Sequence, residues 1–358
     1  MKTVRAFEPK WATPPGATVF DLLNERKLAV GYLAHESRRD IHEVSRLLFG
    51  LAPLTEEWAQ ILSRVFGSSE SFWLRREELY RSALKSQFGE APKNWLGQLP
   101  VRDMVRFGWI DPGESADDAI ANAFAFLGVT TPTAFERKYE RLLFASAYRK
   151  SNAFQTDAAA VAAWLRKGEI EAAAIDCAPW SPARLREALD DVRNLTRVAN
   201  PNEFLPALQR RLADCGVAAV LARAPQGCRA SGATRFISSE KALLQLSFRY
   251  LSDDQFWFTV FHEIGHLLLH ASPEVFLEGL EDRYSTPEKE ADLFALQTLF
   301  SKVGEASLDE LPPNKFSVAR LAKRAGVAPG IVVGELQQRG RIPFKHFNYL
   351  KVRYAWEQ

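Results

Sequence analysis

Phe261-His262-Glu263-Ile264-Gly265-His266-Leu267-Leu268-Leu269-His270 decides how the rest of the chain is read. Apolar residues surround two imidazoles four positions apart, and on an α-helix such positions lie about 40° and roughly 6 Å from each other on one face. His262 and His266 can therefore grip one cation, while Glu263 reaches a water beside it. This His-Glu-x-x-His pattern is the zinc-peptidase arrangement, with the glutamate as general base. Three of the six histidines in 358 residues fall within this decade, which weighs against a helix that carries them by chance.

A hydrolytic zinc site needs a third protein ligand and an open position. Ser285-Thr286-Pro287-Glu288-Lys289-Glu290-Ala291-Asp292-Leu293-Phe294-Ala295-Leu296 reads as the helix that supplies it, with Ser285 or Thr286 as cap and Pro287 in the first turn. At about 100° per residue, Glu288 falls among Leu299, Leu296 and Ala295 on the apolar face, whereas Glu290 falls with Gln297 and Ser301 on the wet one. Glu288 is therefore the expected ligand; its alternative role is a capping-box carboxylate reaching back to Ser285. Asp292 shares the face of Glu288 and suits a bond to one of the histidines. His270 lies eight residues from His262, about 12 Å along the axis. It is read as a residue behind the ligands or a packed core histidine.

Phe256-Trp257-Phe258-Thr259 running into the histidine helix, followed by Glu288-Lys289-Glu290-Ala291-Asp292-Leu293-Phe294-Ala295, resembles the ImmA/IrrE metallopeptidase family over roughly residues 200 to 345. Leu246-Ser247-Phe248-Arg249-Tyr250 is similar to the strand before that helix in relatives with an N-terminal helix-turn-helix. One departure is Leu299-Phe300-Ser301, where the family often has Leu-Met-Pro or Leu-Ile-Pro. The resemblance implies a Zn2+-dependent regulatory endopeptidase of narrow range, acting on a protein substrate such as a helix-turn-helix repressor in a stress or mobile-element response. Leu243 to Tyr250 alternates as a half-buried strand and is the expected substrate-binding edge. Tyr284 is a guess for the oxyanion.

Residues 14–80 show five short helical patterns. Leu33-Ala34, then Val44-Ser45-Arg46-Leu47-Leu48 and Gly50, resemble the XRE-type helix-turn-helix in its HigA-like antitoxin version, and Phe72-Trp73-Leu74 looks like that subfamily's closing helix. Arg38 stands where the family has its turn glycine. The resemblance implies DNA contacts at Arg38, Arg39, His42 and Arg46, with the arginines on phosphates. Residues 1 to 81 hold 12 basic and 11 acidic side chains, so this module has no strong electrostatic footprint. The alternative is a module kept for dimerisation or partner docking.

The fold class expected is mainly α with a small β-sheet (α+β): a helix-turn-helix domain at 14–80, a helical connector at 81–200, a zincin-like metallopeptidase domain at 201–345 and a tail at 346–358. The connector carries helical patterns, one of them Phe135 to Tyr148, and no chemistry. Val318 to Leu336 forms a two-helix pattern around Gly326-Val327, read as packing on the peptidase rather than as a second DNA reader. A net charge of +2 predicts neither a polyanion nor an anionic membrane as partner. Cys177, Cys215 and Cys228 form no Cys-x-x-Cys pair, and the start lacks the apolar run of a signal peptide, so a cytoplasmic protein is expected. The competing class is a HigA-like antitoxin and repressor that uses the peptidase fold as sensor or scaffold for a cognate toxin; homodimerisation stays open.

Overall fold

The computed structural model describes residues 13–85, 90–139, 158–270, 276–277 and 285–356, with the side chains of 90–92 and 276–277 left aside. Tyr284 and most of the expected helix Phe135 to Tyr148 lie outside the described residues. The fold is mainly helical with one small sheet, an α+β protein. It forms two compact units, residues 1–176 with 225–228, and residues 177–224 with 229–358.

The first unit holds α1 (Pro15–Glu25), α2 (Val30–Ser37), α3 (Ile41–Leu48), α4 (Glu56–Phe66), α5 (Glu70–Lys85), α6 (Glu90–Leu96), α7 (Val101–Arg106), α8 (Ala116–Leu127), α9 (Pro132–Lys138) and α10 (Ala158–Ala173). Asp40 caps α3 by accepting from the His42 backbone N–H at 2.8 Å, as its residue type favours. Val19, Leu23, Leu33, Val44, Leu47, Trp58, Leu62 and Trp73 close a core among the first five helices. The turn between α2 and α3 runs through Arg38 at φ +56°, a left-handed conformation that costs a non-glycine residue about 1 kcal/mol. The conformation expected of a glycine is thus kept by an arginine. The α3 helix packs on α10: the Ser45 hydroxyl is buried and donates to the Ile170 carbonyl at 2.8 Å.

The second unit is built from α11 (Pro182–Leu195), α12 (Pro201–Ala213), β1 (Val217–Leu221), β2 (Gly232–Ser238), β3 (Lys241–Leu246), α13 (Asp253–Leu269), β4 (Phe276–Leu277), α14 (Thr286–Leu299), α15 (Ala306–Asp309), α16 (Lys315–Ala325), α17 (Pro329–Gln338) and a 3-10 turn at Asn348–Leu350. The sheet order is β1-β3-β2-β4. The expectation that Leu243 to Tyr250 offers a substrate edge is corrected here. Strand β3 pairs parallel with β1 on one side and antiparallel with β2 on the other, so both rows of its backbone groups are occupied. It is buried on both faces, Gln245 included, and ends at Leu246 before Phe248 turns to φ +53°. Strand β4 pairs with β2 at the sheet's end.

Apolar packing fixes α13 in the middle of this unit. Phe204, Phe248, Phe256, Trp257 and Tyr354 pack ring on ring around its start, with Phe248 stacked on Phe256 at 4.2 Å. The reading that the tail pair packs rather than standing free matches what is seen: Ile331, Val332, Val333 and Leu336 of α17 are buried in the core of the second unit. Gly330 and Gly334 let α17 approach the first turn of α13, where a Cβ would lie 2.3 Å from Asp253 Oδ2 and 2.6 Å from Asp254 Oδ2, respectively. The chain beyond α17 then straps that turn. Asp253 N–H donates to the Val352 carbonyl at 3.1 Å, and Lys351 Nζ reaches Asp254 Oδ2 at 2.6 Å inside the protein. Ser252 occupies the N-cap position, yet its hydroxyl donates to the Asp254 carboxylate rather than accepting from the helix backbone.

Candidate metal centre

Helix α13 presents His262 and His266 one turn apart, and α14 lies across it closely enough to bring Glu288 to both. Gly265 makes that approach possible: a Cβ there would meet the Ala291 backbone at 3.2 Å and the Phe294 ring at 3.1 Å. His266 Nε2 lies 3.0 Å from His262 Nε2 and 3.3 Å from Glu288 Oε1, while His262 Nε2 lies 3.7 Å from Glu288 Oε2. All three side chains are buried, and their three ligand atoms lie within 4.8 Å of one another. This cluster could hold a metal ion. Glu288 makes no bond to Ser285, so the capping-box role is not taken up.

Hydrogen bonding behind the histidines assigns their tautomers. His262 Nδ1 lies 2.9 Å from Asp292 Oδ1, a carboxylate that can only accept, so the ring proton sits on Nδ1. His266 Nδ1 lies 3.1 Å from His270 Nδ1, and His270 Nε2 lies 2.7 Å from Glu290 Oε2. The Glu290 carboxylate accepts from His270 Nε2, and His270 Nδ1 faces His266 Nδ1. The Nε2 atoms of His262 and His266 face each other and the Glu288 carboxylate. Two imidazoles and a carboxylate converge on one point in a dry interior, a place suited to a cation. Two nitrogens and one oxygen are a donor set that catalytic zinc sites use. Burial pushes His266 below the usual imidazole range, against the pull of Glu288.

His270 thus stands behind His266 as one of its two expected readings had it, and Asp292 meets His262. Glu290 is what the phasing argument passed over. It is on the wet side of α14, with its carboxylate half-exposed, but it still reaches His270. Its only signal in the sequence is that a third histidine with a job to do needs an acceptor.

Glu263 is fully buried beside His262. The first residue of β2 makes room for it: a Cβ on Gly232 would stand 2.5 Å from Glu263 Oε1 and 2.6 Å from Thr259 Cγ2. Gly232 is a strand residue whose missing side chain admits the carboxylate. In the departing stretch after α14, Phe300 is buried and Ser301 accepts from Arg193, so this stretch anchors the interior.

The four residues expected on DNA are arranged differently. Arg39 pairs with Glu57 and, at 3.3 Å, with Glu43, and its guanidinium is pushed above the usual arginine range by the bond to Glu57 first and by Glu43 next. His42 lies 3.7 Å from Glu171 of α10, and Arg46 lies 3.9 Å from Asp111. Arg38 is exposed at its left-handed turn. Among the described residues no helix is long and apolar enough to cross a membrane.

No curated protein matches the chain. Residues 229–336, the stretch that runs from the start of β2 through both ligand-bearing helices into α17, match the metallopeptidase family Peptidase_M78, described as the IrrE N-terminal-like domain.

Proposed function

We propose that the second unit is a zinc-dependent endopeptidase of the His-Glu-x-x-His type, with His262, His266 and Glu288 as metal ligands and Glu263 as the catalytic base. The observation that carries this reading is the convergence of three buried Lewis bases, with a buried carboxylate on the next residue. A bound Zn2+ would lower the pKa of a water and polarise the scissile carbonyl. Glu263 takes the proton from the attacking water and later delivers it to the leaving amine. Its burial against Gly232 and Thr259 holds the carboxylate in one place, so the proton moves without rearrangement of solvent. Asp292 and the pair His270–Glu290 keep the histidine rings in their ligating tautomers.

The substrate is a protein, and a transcriptional repressor cut in a stress response fits the similarity of residues 229–336 to the IrrE-like domain. The five-helix packet at residues 15–85 would then dock a partner rather than read DNA, because three of its four candidate contacts already face carboxylates. Metal analysis of purified protein tests the centre. About one zinc per chain is expected, lost in His262→Ala and retained in Glu263→Gln. A wild type without metal after growth in zinc would overturn the peptidase reading and leave the antitoxin class.

A further inference from the structure

The chain's net charge of +2 conceals a strong asymmetry. Residues 311–356 contain nine lysines and arginines and one acid, Glu335, a net of +8 that leaves −6 for the remainder. Some of this charge is spent inside the fold. Arg339 pairs with Asp309 and Glu335, and Lys351 pairs with Asp254. Lys315, Arg320, Lys323, Arg324, Lys345 and Arg353 are exposed, and among the described residues none of them makes an ion pair. Six uncompensated cations on one short segment repel one another and attract a polyanion.

Aromatic rings accompany them. Phe316 is 83% exposed, Tyr349 69% and Phe344 67%, the three most exposed large apolar side chains among the described residues. On α16, positions four and seven after Phe316 return to the same face at about 100° per residue, so Phe316, Arg320 and Lys323 form one solvent-facing stripe, opposite the buried Val318, Leu321, Ala322 and Ala325. Arg341 Nη2 donates to the Leu311 carbonyl at 3.3 Å, and Gln337 Nε2 to the Phe344 and His346 carbonyls at 3.1 and 2.9 Å. These bonds tie the chain just before α16 to the loop that carries Phe344 and Lys345. A wet phenylalanine gains nothing from the fold, but an unstacked base can cover it.

We propose that the α16 face with the Phe344–Tyr349 loop binds single-stranded nucleic acid, the cations tracking phosphates and the exposed rings stacking on bases. Duplex reading by a groove-inserted helix is disfavoured because α17, the second helix of this pair, is buried against α13. The site is independent of the metal centre and stands whether or not the peptidase reading does.

The test is fluorescence anisotropy of the full chain with a labelled oligothymidine of about 20 nucleotides, longer than the roughly 4–16 that one basic fold occupies. RNA of equal length, duplex DNA and polyglutamate serve as comparisons. Expected is binding of a single strand that falls steeply with salt. Arg320→Glu with Lys323→Glu should abolish most of it and flatten the slope of log affinity against log salt by about 1.4. Phe316→Ala should weaken single-strand binding about 5- to 100-fold, with zinc content unchanged in both variants. No binding at low salt, binding of polyglutamate or duplex as tight as the single strand, or affinity indifferent to these variants but lost in Arg46→Ala would each overturn the proposal.

Discussion

Helices α13 and α3 both announce themselves as short motifs, His-Glu-x-x-His on one and Val44-Ser45-Arg46-Leu47-Leu48 on the other, and the fold treats them in opposite ways. On α13 the polar residues turn toward one another and toward α14, where their lone pairs concentrate at a single point. On α3 they turn toward separate partners: His42 lies 3.7 Å from Glu171, Arg46 lies 3.9 Å from Asp111, and Ser45 donates to the Ile170 carbonyl. Convergence on one buried point marks a candidate site. Compensation one residue at a time marks a surface that packs.

The comparison breaks first, if it breaks, at Gly232. Gly232→Ala drives a methyl group into the space of Glu263 Oε1. A misplaced base should cost about 100-fold or more in peptide turnover, while zinc stays bound; normal cleavage with full zinc would show that Glu263 does not need its pocket. Behind the ligands the effects are smaller. Asp292→Ala and Glu290→Gln should each weaken zinc binding about 10- to 100-fold, read by competition with a chromophoric chelator. Equal affinity in Glu290→Gln would show that the Glu290–His270–His266 chain orients nothing.

Next in size is a pH effect at the other end of α13. Burial first, then the neighbouring Asp254 charge, pushes the Asp253 carboxyl up from 3.8 to about 6. The folded protein thus keeps a proton there at pH values where the unfolded chain has released it. The stability this group contributes is full below about pH 4 and is lost as pH rises through about 6, on the order of 3 kcal/mol in all. Asp253→Asn should remove that decline, so that denaturant unfolding at pH 7 shows the variant more stable than the wild type. A variant with the wild-type pH slope rules Asp253 out as its source. The smallest effect belongs to α3: Ser45→Ala leaves the Ile170 carbonyl without its donor and should lower the stability of the first unit by about 1 kcal/mol. An unchanged unfolding curve would mean that the α3–α10 contact does not bear on stability.

What the sequence discloses follows the range of the interaction. His262 and His266 are legible because their geometry is set by one turn of one helix, and Glu288 because the phase of α14 separates it from Glu290. Beyond one element the signal fades. Glu290 meets His270 across 20 positions, and Glu171 meets His42 across more than a hundred. Neither pairing leaves a periodic trace. The β3 reading failed for a related reason: alternation was read as one wet face and one dry face, whereas parallel pairing with β1 and helical cover bury both. The five helices of the first packet were visible from their apolar spacing, while two of the acids beside their cations, Glu171 and Asp111, came from outside it.

Asp254 and Lys351 are 97 residues apart in the chain and 2.6 Å apart in the protein. At about 5–20 residues per second, the ribosome finishes that lysine roughly 5–20 s after the aspartate. Within that interval His262, Glu263, His266 and Glu288 are all made, and the strap that closes the first turn of their helix comes after them. The nascent chain therefore carries the whole His-His-Glu cluster before the strap that closes its helix exists.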